Sequence, residues 1–543
     1  MSRYLYLFQI GPVQSFIAAA RRTQDLYVGS RLLSLLASAG VSAAQSARGD
    51  LLFPVELSNG NLPDRVPHRF AFLNEHVPDH VVPIVKDAID GEWRGIAAKV
   101  RAWLTDDMRL GTNWHADFDR QVANWLEIYW VAVPYDRNDH ARSYRRADIA
   151  LAQRKQLRHF PAVSERGEKC TLTGAQTALP LDWAALRQRL GDEEHQKFIR
   201  ANERLGALAT IKRFAQQGRY GAGAIDGDFE APREFPSTNE IAGKPDGSAQ
   251  DDRAYFLTVL HMDGDFMGKR LSLVENAQDH RRLSAALADF AEVRVPKIIA
   301  GHDPKRSATY RDHPGRAVLV YSGGDDVLAL MHPGLVLSCA NQLQAAFREA
   351  LAGFETEKLP VTMSAGIAIA PFKLPLDGAL QEARDAEEAA KNGHHRDAVV
   401  VREAHRSAQV RQAGAKWTVI PTADALRGHF ANGRLSGKLG FDLYDLAAVM
   451  DDNPHDPCAP DAEARFAVQP IVPEEARAAE ALRLLRRRLA EGLDTAISEQ
   501  IVAELGKQFA DLGLDKDCGW MSLANWTILA RFLAHQETKR EVM

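Results

Sequence analysis

AVLVYSGGDDVLALM, at residues 317–331, is the stretch from which the fold of this chain follows. Its two ends, residues 317–321 and residues 327–331, are apolar and rich in strand-forming side chains. Between them stands the turn-forming segment Ser322-Gly323-Gly324-Asp325-Asp326. The stretch therefore predicts a β-hairpin with two carboxylates at its tip.

A β-α-β-β-α-β pattern surrounds this hairpin between about residues 251 and 421. The predicted elements are a strand at 254–262, a mainly helical region at 266–299, the hairpin, a helix at 335–352, a strand at 361–369 and a helix at 377–391. Two further strands are predicted at 398–401 and 417–420. The alternation of strands and helices predicts one α+β module.

The same pattern occurs at residues 1–135, with strands at 4–10, 51–53, 70–73 and 126–134 and helices at 13–44 and around 81–125. Alignment of the first strands places Ile10-Gly11-Pro12 beside Met262-Asp263-Gly264. Only the second copy has carboxylates at the strand end, so the first copy is predicted to be non-catalytic. Residues 136–250 are predicted to be a mainly helical linker domain, and residues 422–543 a C-terminal helical domain.

The composition is that of a globular protein of several domains. The 543 residues carry a net charge of −5, with 45% hydrophobic and 26% charged residues, which excludes bulk disorder and low-complexity chains. No run of 18 uninterrupted apolar residues occurs, and polar residues interrupt the apolar N-terminus, so neither a membrane span nor a signal peptide is predicted. The four cysteines form no CxxC pair. We therefore expect a cytoplasmic protein.

The chemistry is predicted at one edge of the second module. In a βαββαβ sheet of strand order 4-1-3-2, the end of strand 1 lies beside the hairpin that opens strand 3. Asp263 would thus meet Asp325 and Asp326, although more than 60 residues separate them in sequence. Clustered carboxylates repel one another unless a cation neutralises them, and oxygen ligands suit Mg²⁺ or Mn²⁺. Two such ions about 4 Å apart would suit an in-line nucleotidyl transfer.

Simpler interpretations compete at each of these positions. Asp-Gly and Gly-Asp segments commonly close hairpins without any catalytic role. Lys391 and Arg396, at the end of the 377–391 helix, could be counter-charges for a triphosphate, or cations at a helix C-terminus that Gly393 caps. The HD dipeptides at 302–303 and 455–456 are interpreted as loop residues.

A basic run opens the linker domain. It is interpreted either as a solvated helix face or as a phosphate-contacting surface, and its members are Arg142, Arg145, Arg146, Arg154, Lys155 and Arg158.

Together, the motifs resemble the large subunit of type III CRISPR effector complexes, in its type III-B (RAMP-module) form. The segments that carry the resemblance lie at residues 10–17, 20–23, 29–30, 203–205, 212–213, 235–238, 262–269, 321–329 and 364–369. This resemblance implies two ferredoxin-like palm domains, an intervening helical domain and a C-terminal helical bundle. It also implies an antiviral, RNA-guided complex in which binding of target RNA switches on conversion of ATP to cyclic oligoadenylates.

The resemblance also implies roles for individual residues. Asp263, Asp325 and Asp326 would be catalytic and ligate the metal ions, with the Gly264 backbone nearby. The residues expected to contact nucleotide are Ser322, Gly323, Gly324, Asp265, Lys391, Arg396, Gln14 and Ser15, the last two from the first palm. The expected partners are the other subunits of the complex, its guide and target RNA, and ATP; no membrane is expected.

Two departures from the family pattern alter these expectations. The chain starts directly at the first palm, without the HD nuclease domain that many members carry, so we expect no cleavage of single-stranded DNA. The family's zinc site is degraded to Cys170-Thr171-Leu172-Thr173, and a zinc ion in residues 136–250 is therefore doubtful. The alternatives to an ATP-using enzyme are a non-catalytic scaffold of the same kind of complex and a free-standing, cyclase-like signalling enzyme.

Overall fold

The computed structural model describes residues 3–56, 61–157, 165–191, 199–216, 221–225, 236–244, 255–301, 316–404, 410–450, 473–515 and 518–541. Within these ranges the chain forms two β-sheets with helices packed against them. Both predicted βαββαβ modules are present, so the α+β fold class is confirmed.

The first sheet has four antiparallel strands in the order β2-β3-β1-β4. Its strands are β1 (Arg3–Gly11), β2 (Asp50–Phe53), β3 (Arg69–Asn74) and β4 (Glu127–Tyr135). Alternate side chains of the paired strands stack face to face, with ring centroids 5.2 Å apart for Phe8 and Phe70. The associated helices are α1 (Gln14–Ala18), α2 (Thr23–Ser46), α3 (Pro78–Asp106) and α4 (His115–Ala123).

In the part of the chain that the structure describes, one helix, α2, is long and apolar enough to cross a membrane by length and composition. Its apolar side chains, including Leu26, Leu33 and Val41, are buried in the protein core. In the structure α2 is therefore a helix of the protein core.

The linker domain follows β4 and begins with α5 (His140–Gln156), which covers the outer face of the first sheet. Three shorter helices follow: α6 (Trp183–Arg189), α7 (Ala207–Phe214) and α8 (Thr238–Ile241). A fully buried ion pair joins α7 to α2, because Arg213 donates to both Asp25 oxygens at 2.7 and 2.9 Å. Glu203 lies 3.4 Å from the same guanidinium. These contacts tie the linker to the first palm.

The second sheet has six strands in the order β10-β9-β8-β5-β7-β6. They are β5 (Phe256–Gly264), β6 (Ala317–Gly323), β7 (Asp326–Met331), β8 (Met363–Pro371), β9 (Ala398–Ala404) and β10 (Val410–Lys416). The first four strands along the chain have the predicted 4-1-3-2 order, and β9 adds parallel to β8. The strand predicted at 417–420 is wrong: these residues form a 3₁₀ turn that runs into a helix, and β10 lies before them.

Helices cover both faces of the second sheet. They are α9 (Met267–Leu273), α10 (Ala277–Asp289), a π-helical segment (Phe290–Arg294), α11 (Val295–Ile299), α12 (Pro333–Leu351) and α13 (Leu376–Asn392). The C-terminal helices are α14 (Ile420–Ala431), α15 (Leu439–Met450), α16 (Glu474–Arg487), α17 (Thr495–Gly513) and α18 (Gly519–Glu541). The predicted C-terminal helical bundle is therefore present.

The two palms share one hydrophobic core. Val318, Val320, Leu328 and Leu330 of the second sheet belong to the same buried cluster as Leu26 and the other apolar residues of α2. A second cluster lies on the opposite face and joins α12 to the C-terminal helices. Burial of this much apolar surface fixes the two palms against each other.

Candidate functional site

The end of β5 meets the β6–β7 hairpin at one edge of the second sheet. Met262 pairs with Val327, and the Gly264 amide donates to the Asp325 carbonyl oxygen at 3.2 Å. The hairpin closes with Gly324 at φ 68°, the left-handed region that glycine adopts at no steric cost. This geometry brings Asp263 together with Asp325 and Asp326, as the topology predicted.

The three carboxylates repel one another. Burial, followed by the charges of Asp263 and Asp326, holds the pKa of Asp325 well above its usual value. Burial and Asp263 raise the pKa of Asp326 to about 7, although 39% of the Asp326 side chain is exposed to water. The site therefore concentrates negative charge that a cation would offset.

Helix α13 supplies a cation to this edge. The helix lies directly on β8, because a Cβ on Gly366 would fall 2.1 Å from the Ala383 carbonyl oxygen. Lys391, in its last turn, donates to an Asp263 oxygen and lies 2.6 Å from Glu387. Although burial opposes it, the charge of Asp263 and then that of Glu387 raise the pKa of Lys391, which stays charged. Lys391 therefore lies at the carboxylate edge, and its contact with a nucleotide stays a prediction.

The sequence analysis missed three further side chains of the site. His261 Nε2 lies 3.5 Å from Asp326 Oδ1, and His261 Nδ1 lies 3.9 Å from Glu387. Burial lowers the pKa of His261 and raises that of Glu387. Burial and the neighbouring carboxylates raise the pKa of Tyr321. Two spacings carried the signal: His261 precedes Asp263 by one strand period, and Glu387 precedes Lys391 by one helical turn.

Two predicted nucleotide-contacting side chains point elsewhere. The Ser322 hydroxyl is buried and donates to the Ala291 carbonyl oxygen at 2.8 Å, so it packs against the π-helical segment. Asp265 is also buried and accepts hydrogen bonds from Thr362 and Ser364 at the start of β8. Both of its oxygens are therefore occupied by protein donors.

The end of α13 differs from a glycine-capped helix. Gly393 has φ −82°, so it is not the left-handed cap that the simpler interpretation required. The left-handed residues lie further on, at His395, Arg396 and Asp397. The Arg396 guanidinium lies over the Phe266 ring, 4.3 Å from its centroid.

The first palm approaches the site through α1. This helix packs against α13 and exposes Gln14 and Ser15. A contact of these two residues with nucleotide stays a prediction.

The carboxylates fit a hard divalent cation. Their oxygens are the ligands that Mg²⁺ and Mn²⁺ prefer, and Asp326 Oδ1 is buried without a hydrogen-bond donor. Among the described residues, no group of three or more His, Cys, Asp or Glu side chains is arranged so that it could hold a metal ion by itself. Mg²⁺ does not need a full set of protein ligands, because it usually keeps water ligands and takes others from substrate phosphates.

The other predicted features lie outside this site. Arg142 and Arg146 of the basic run are exposed on α5, and Arg145 donates to the Ser272 carbonyl oxygen at 3.1 Å; the HD dipeptides and Arg158 lie outside the described residues. Cys170 is buried, and the Thr171 amide donates to the Arg204 carbonyl oxygen at 2.8 Å. A backbone hydrogen bond thus joins the segment around Cys170, where the family has its zinc site, to the segment around Arg204.

Part of each β-sheet module is similar to a known domain family. Residues 256–400 match the domain family described as Cas10/Cmr2, second palm domain, and residues 5–98 match CRISPR-associated protein Cmr2, N-terminal. A CRISPR system single-strand-specific deoxyribonuclease Cas10/Csm1 (subtype III-A) from Mycobacterium tuberculosis is 28% identical over 236 residues. The CRISPR system Cmr subunit Cmr2 from Pyrococcus furiosus is 29% identical over 179 residues.

These alignments cover 40% and 30% of this chain, but only 26% and 20% of the two curated relatives. Solved structures extend the likeness of fold. The apo state of the type III-B Cmr-beta complex matches with a TM-score of 0.59 at 13% identity, covering 91% of this chain and 78% of the other. A Csm1–Csm4 cassette in complex with cA4 matches with a TM-score of 0.52 at 14% identity, covering 98% and 70%. These matches confirm the resemblance that the motifs indicated.

Proposed function

Because this chain resembles the Cas10/Cmr2 large subunit of type III CRISPR effector complexes in both palms, we propose that it is the ATP-using subunit of a type III-B complex. On binding of target RNA by the guide-loaded complex, it converts ATP to cyclic oligoadenylates. Its partners are the other subunits, the guide and target RNA, and ATP, and it acts in the cytoplasm.

The observation that carries this proposal is the convergence of Asp263, Asp325 and Asp326 on one sheet edge beside Lys391. A protein that only supported its partners would gain nothing from like charges that repel one another. The match to a Csm1–Csm4 cassette with bound cA4 supports an adenylate chemistry on this fold.

The reaction is an in-line displacement at the α-phosphorus of ATP. The 3′-oxygen of one adenosine attacks, a new phosphodiester bond forms, the bond to the β-phosphate breaks, pyrophosphate leaves, and the 3′-hydroxyl proton passes to solvent. Divalent ions held by the three aspartates would supply Lewis-acid stabilisation of the phosphoryl charge.

The chain's own cations have a complementary part in this reaction. Lys391 lies among the carboxylates and can turn from Asp263 to a phosphate when the nucleotide arrives. The Gly323-Gly324 turn has no side chain to obstruct close approach of a triphosphate. Gln14 and Ser15 of α1, which are exposed, would contact a second ATP from the first palm.

The test is nucleotide turnover by the purified guide-loaded complex, with labelled ATP, Mg²⁺ or Mn²⁺, and matching target RNA. Mass spectrometry should identify adenylate products that require target RNA and vanish in the Asp325→Ala/Asp326→Ala double variant. The exposed Asp377→Ala variant on α13 is the matched control and should keep activity.

Two outcomes would contradict the proposal. No turnover with either metal by an intact, target-bound complex would favour the scaffold. Turnover by the isolated chain without target RNA would favour a free-standing enzyme. Loss of assembly in the double variant would instead assign the hairpin a structural role.

A further inference from the structure

Asp265 is a buried carboxylate that the proposed reaction does not use. Only 1% of the residue is exposed. Its Oδ2 accepts from the Thr362 hydroxyl at 2.8 Å and from the Asp397 amide at 3.0 Å, and its Oδ1 accepts from the Ser364 hydroxyl at 2.8 Å. Both oxygens are therefore engaged within the protein, on the side of β5 toward β8.

The Asp397 amide belongs to an unusual turn. His395, Arg396 and Asp397 have φ values of 56°, 65° and 47°, so three consecutive non-glycine residues are left-handed. Each such residue costs conformational free energy, and runs of them are rare unless surrounding contacts hold them. The turn therefore needs anchors.

The buried Asp265 and the partly buried Lys416 act as those anchors. Asp265 accepts from the amide at the end of the turn. Lys416, on β10, donates to the carbonyl oxygens of His394 and Arg396 at 2.7 Å each. The Arg396 amide also donates to the Ala390 carbonyl oxygen at 3.1 Å, which ties the turn to the end of α13.

The anchored turn presents one partly exposed side chain, that of Arg396. The Arg396 guanidinium lies over Phe266, three residues after Asp263, and Arg396 Nε approaches Asp265 Oδ1 at 4.0 Å. About a third of the Arg396 side chain is exposed, and within the described ranges its Nε is buried without a hydrogen-bond acceptor. A guanidinium held in this way can donate to a phosphate without reorganisation.

We propose that Asp265 is a positioning residue: it anchors the left-handed turn that holds Arg396 over Phe266, so that Arg396 receives the phosphates of a nucleotide bound at the Asp263 edge. Asp265 itself contacts neither nucleotide nor metal. The proposal rests on the proposed function for the location of the nucleotide, and it assigns Asp265 a role other than the direct contact expected from the sequence.

The test is a double-mutant cycle on the assembled complex, with Asp265→Asn, Arg396→Gln and the double variant. Each single change should raise the KM for ATP about tenfold with little change in kcat. Because Asp265 acts through Arg396, the double variant should be no worse than the Arg396→Gln variant alone. The exposed Asp377→Asn variant is the matched control and should keep the wild-type KM.

Independent additive effects on KM would overturn the proposal. So would a loss of kcat in Asp265→Asn that increased Mn²⁺ reverses, because that result would make Asp265 a metal ligand. If Asp265→Asn does not fold, Lys416→Met removes the opposite anchor, and an unchanged KM in that variant would equally overturn the proposal.

A binding measurement separates this proposal from the proposed function. Isothermal titration with a non-hydrolysable ATP analogue and Mg²⁺ requires no turnover. Suppose that the complex makes no product but binds the analogue, and that the single and double variants weaken this binding equally. That result would overturn the proposed function alone. No binding by the wild-type complex would overturn both.

Discussion

Replacement of Asp326 by Asn should stabilise the metal-free protein while it removes activity. The pKa of Asp326 is raised from 3.8 to about 7, first by burial and then by the charge of Asp263. A carboxyl group whose pKa is higher in the folded state favours folding when protonated. The cost of its charge is therefore absent below pH 3.8, grows as the pH rises, and is complete above about pH 7.

The magnitude follows from the difference of about 3 between these two pKa values. At 1.36 kcal/mol for each unit of pKa, the upper bound is about 4 kcal/mol. Because 39% of the Asp326 side chain is exposed, water screens its charge, and we expect about 1–2 kcal/mol. For a domain of about 150–250 residues, this difference in free energy corresponds to a melting temperature about 2–8 °C higher in the Asn variant at pH 8.

The assay is thermal unfolding of both proteins between pH 5 and pH 8, with a chelator and then with millimolar Mg²⁺. The Asn variant should melt higher without metal, by a margin that shrinks toward pH 5, and Mg²⁺ should stabilise the wild type more than the variant. An Asp377→Asn control should show no such gain. A variant that melts lower at pH 8, or a margin independent of pH, would refute the reasoning.

Three further changes test other contacts. Lys391→Gln leaves Asp263 and Glu387 without their shared cation, so it should destabilise the metal-free protein by about 1–2 kcal/mol in thermal melts, and Mg²⁺ should restore part of the loss; equal stability would contradict this. Gly366→Ala should lower the free energy of unfolding by about 2 kcal/mol or more in denaturant titrations, because α13 must move off β8; a neutral result would mean that the helix yields easily. Burial lowers the pKa of His280 to about 3, so stability that is complete above pH 6.5 should fall as the pH drops toward 3, and His280→Gln should flatten this decline; an unchanged pH profile would assign the decline to other groups.

The strands and the sheet order were predictable because the pattern is local and repeated. The strands of the GGDD hairpin and the strand before Asp263 are apolar runs bounded by turn residues. Because the same pattern of strands and helices occurs twice in the chain, each copy supports the prediction made for the other. The outer strand β10 was missed because its sequence, VRQAGAK, has few strand-forming residues. It joins the sheet at its edge by pairing with β9. The apolar run at 417–420 resembles a strand, but Pro421 at the start of α14 suits a helix.

The candidate site was predictable only in part. The sheet topology brings Asp263, Asp325 and Asp326 to one edge whatever their rotamers. Their positions in the sequence were therefore enough to predict that they lie together. His261 and Glu387 join them through the packing of α13 on the sheet, which no local pattern specifies. The inward orientations of Ser322 and Asp265 depend on partners more than 30 residues away in the chain, and sequence position alone does not determine them.

The core that the two palms share has an evolutionary consequence. Val320 and Leu330 of the second palm are kept dry by the same apolar cluster that contains α2 of the first. Natural selection can therefore remove every reactive group from the first palm, but it cannot reduce that palm's apolar volume without uncovering the sheet that carries the aspartates. A first palm without any reactive group would still be needed for the fold. The first palm would be retained because it keeps water away from the sheet of the second palm.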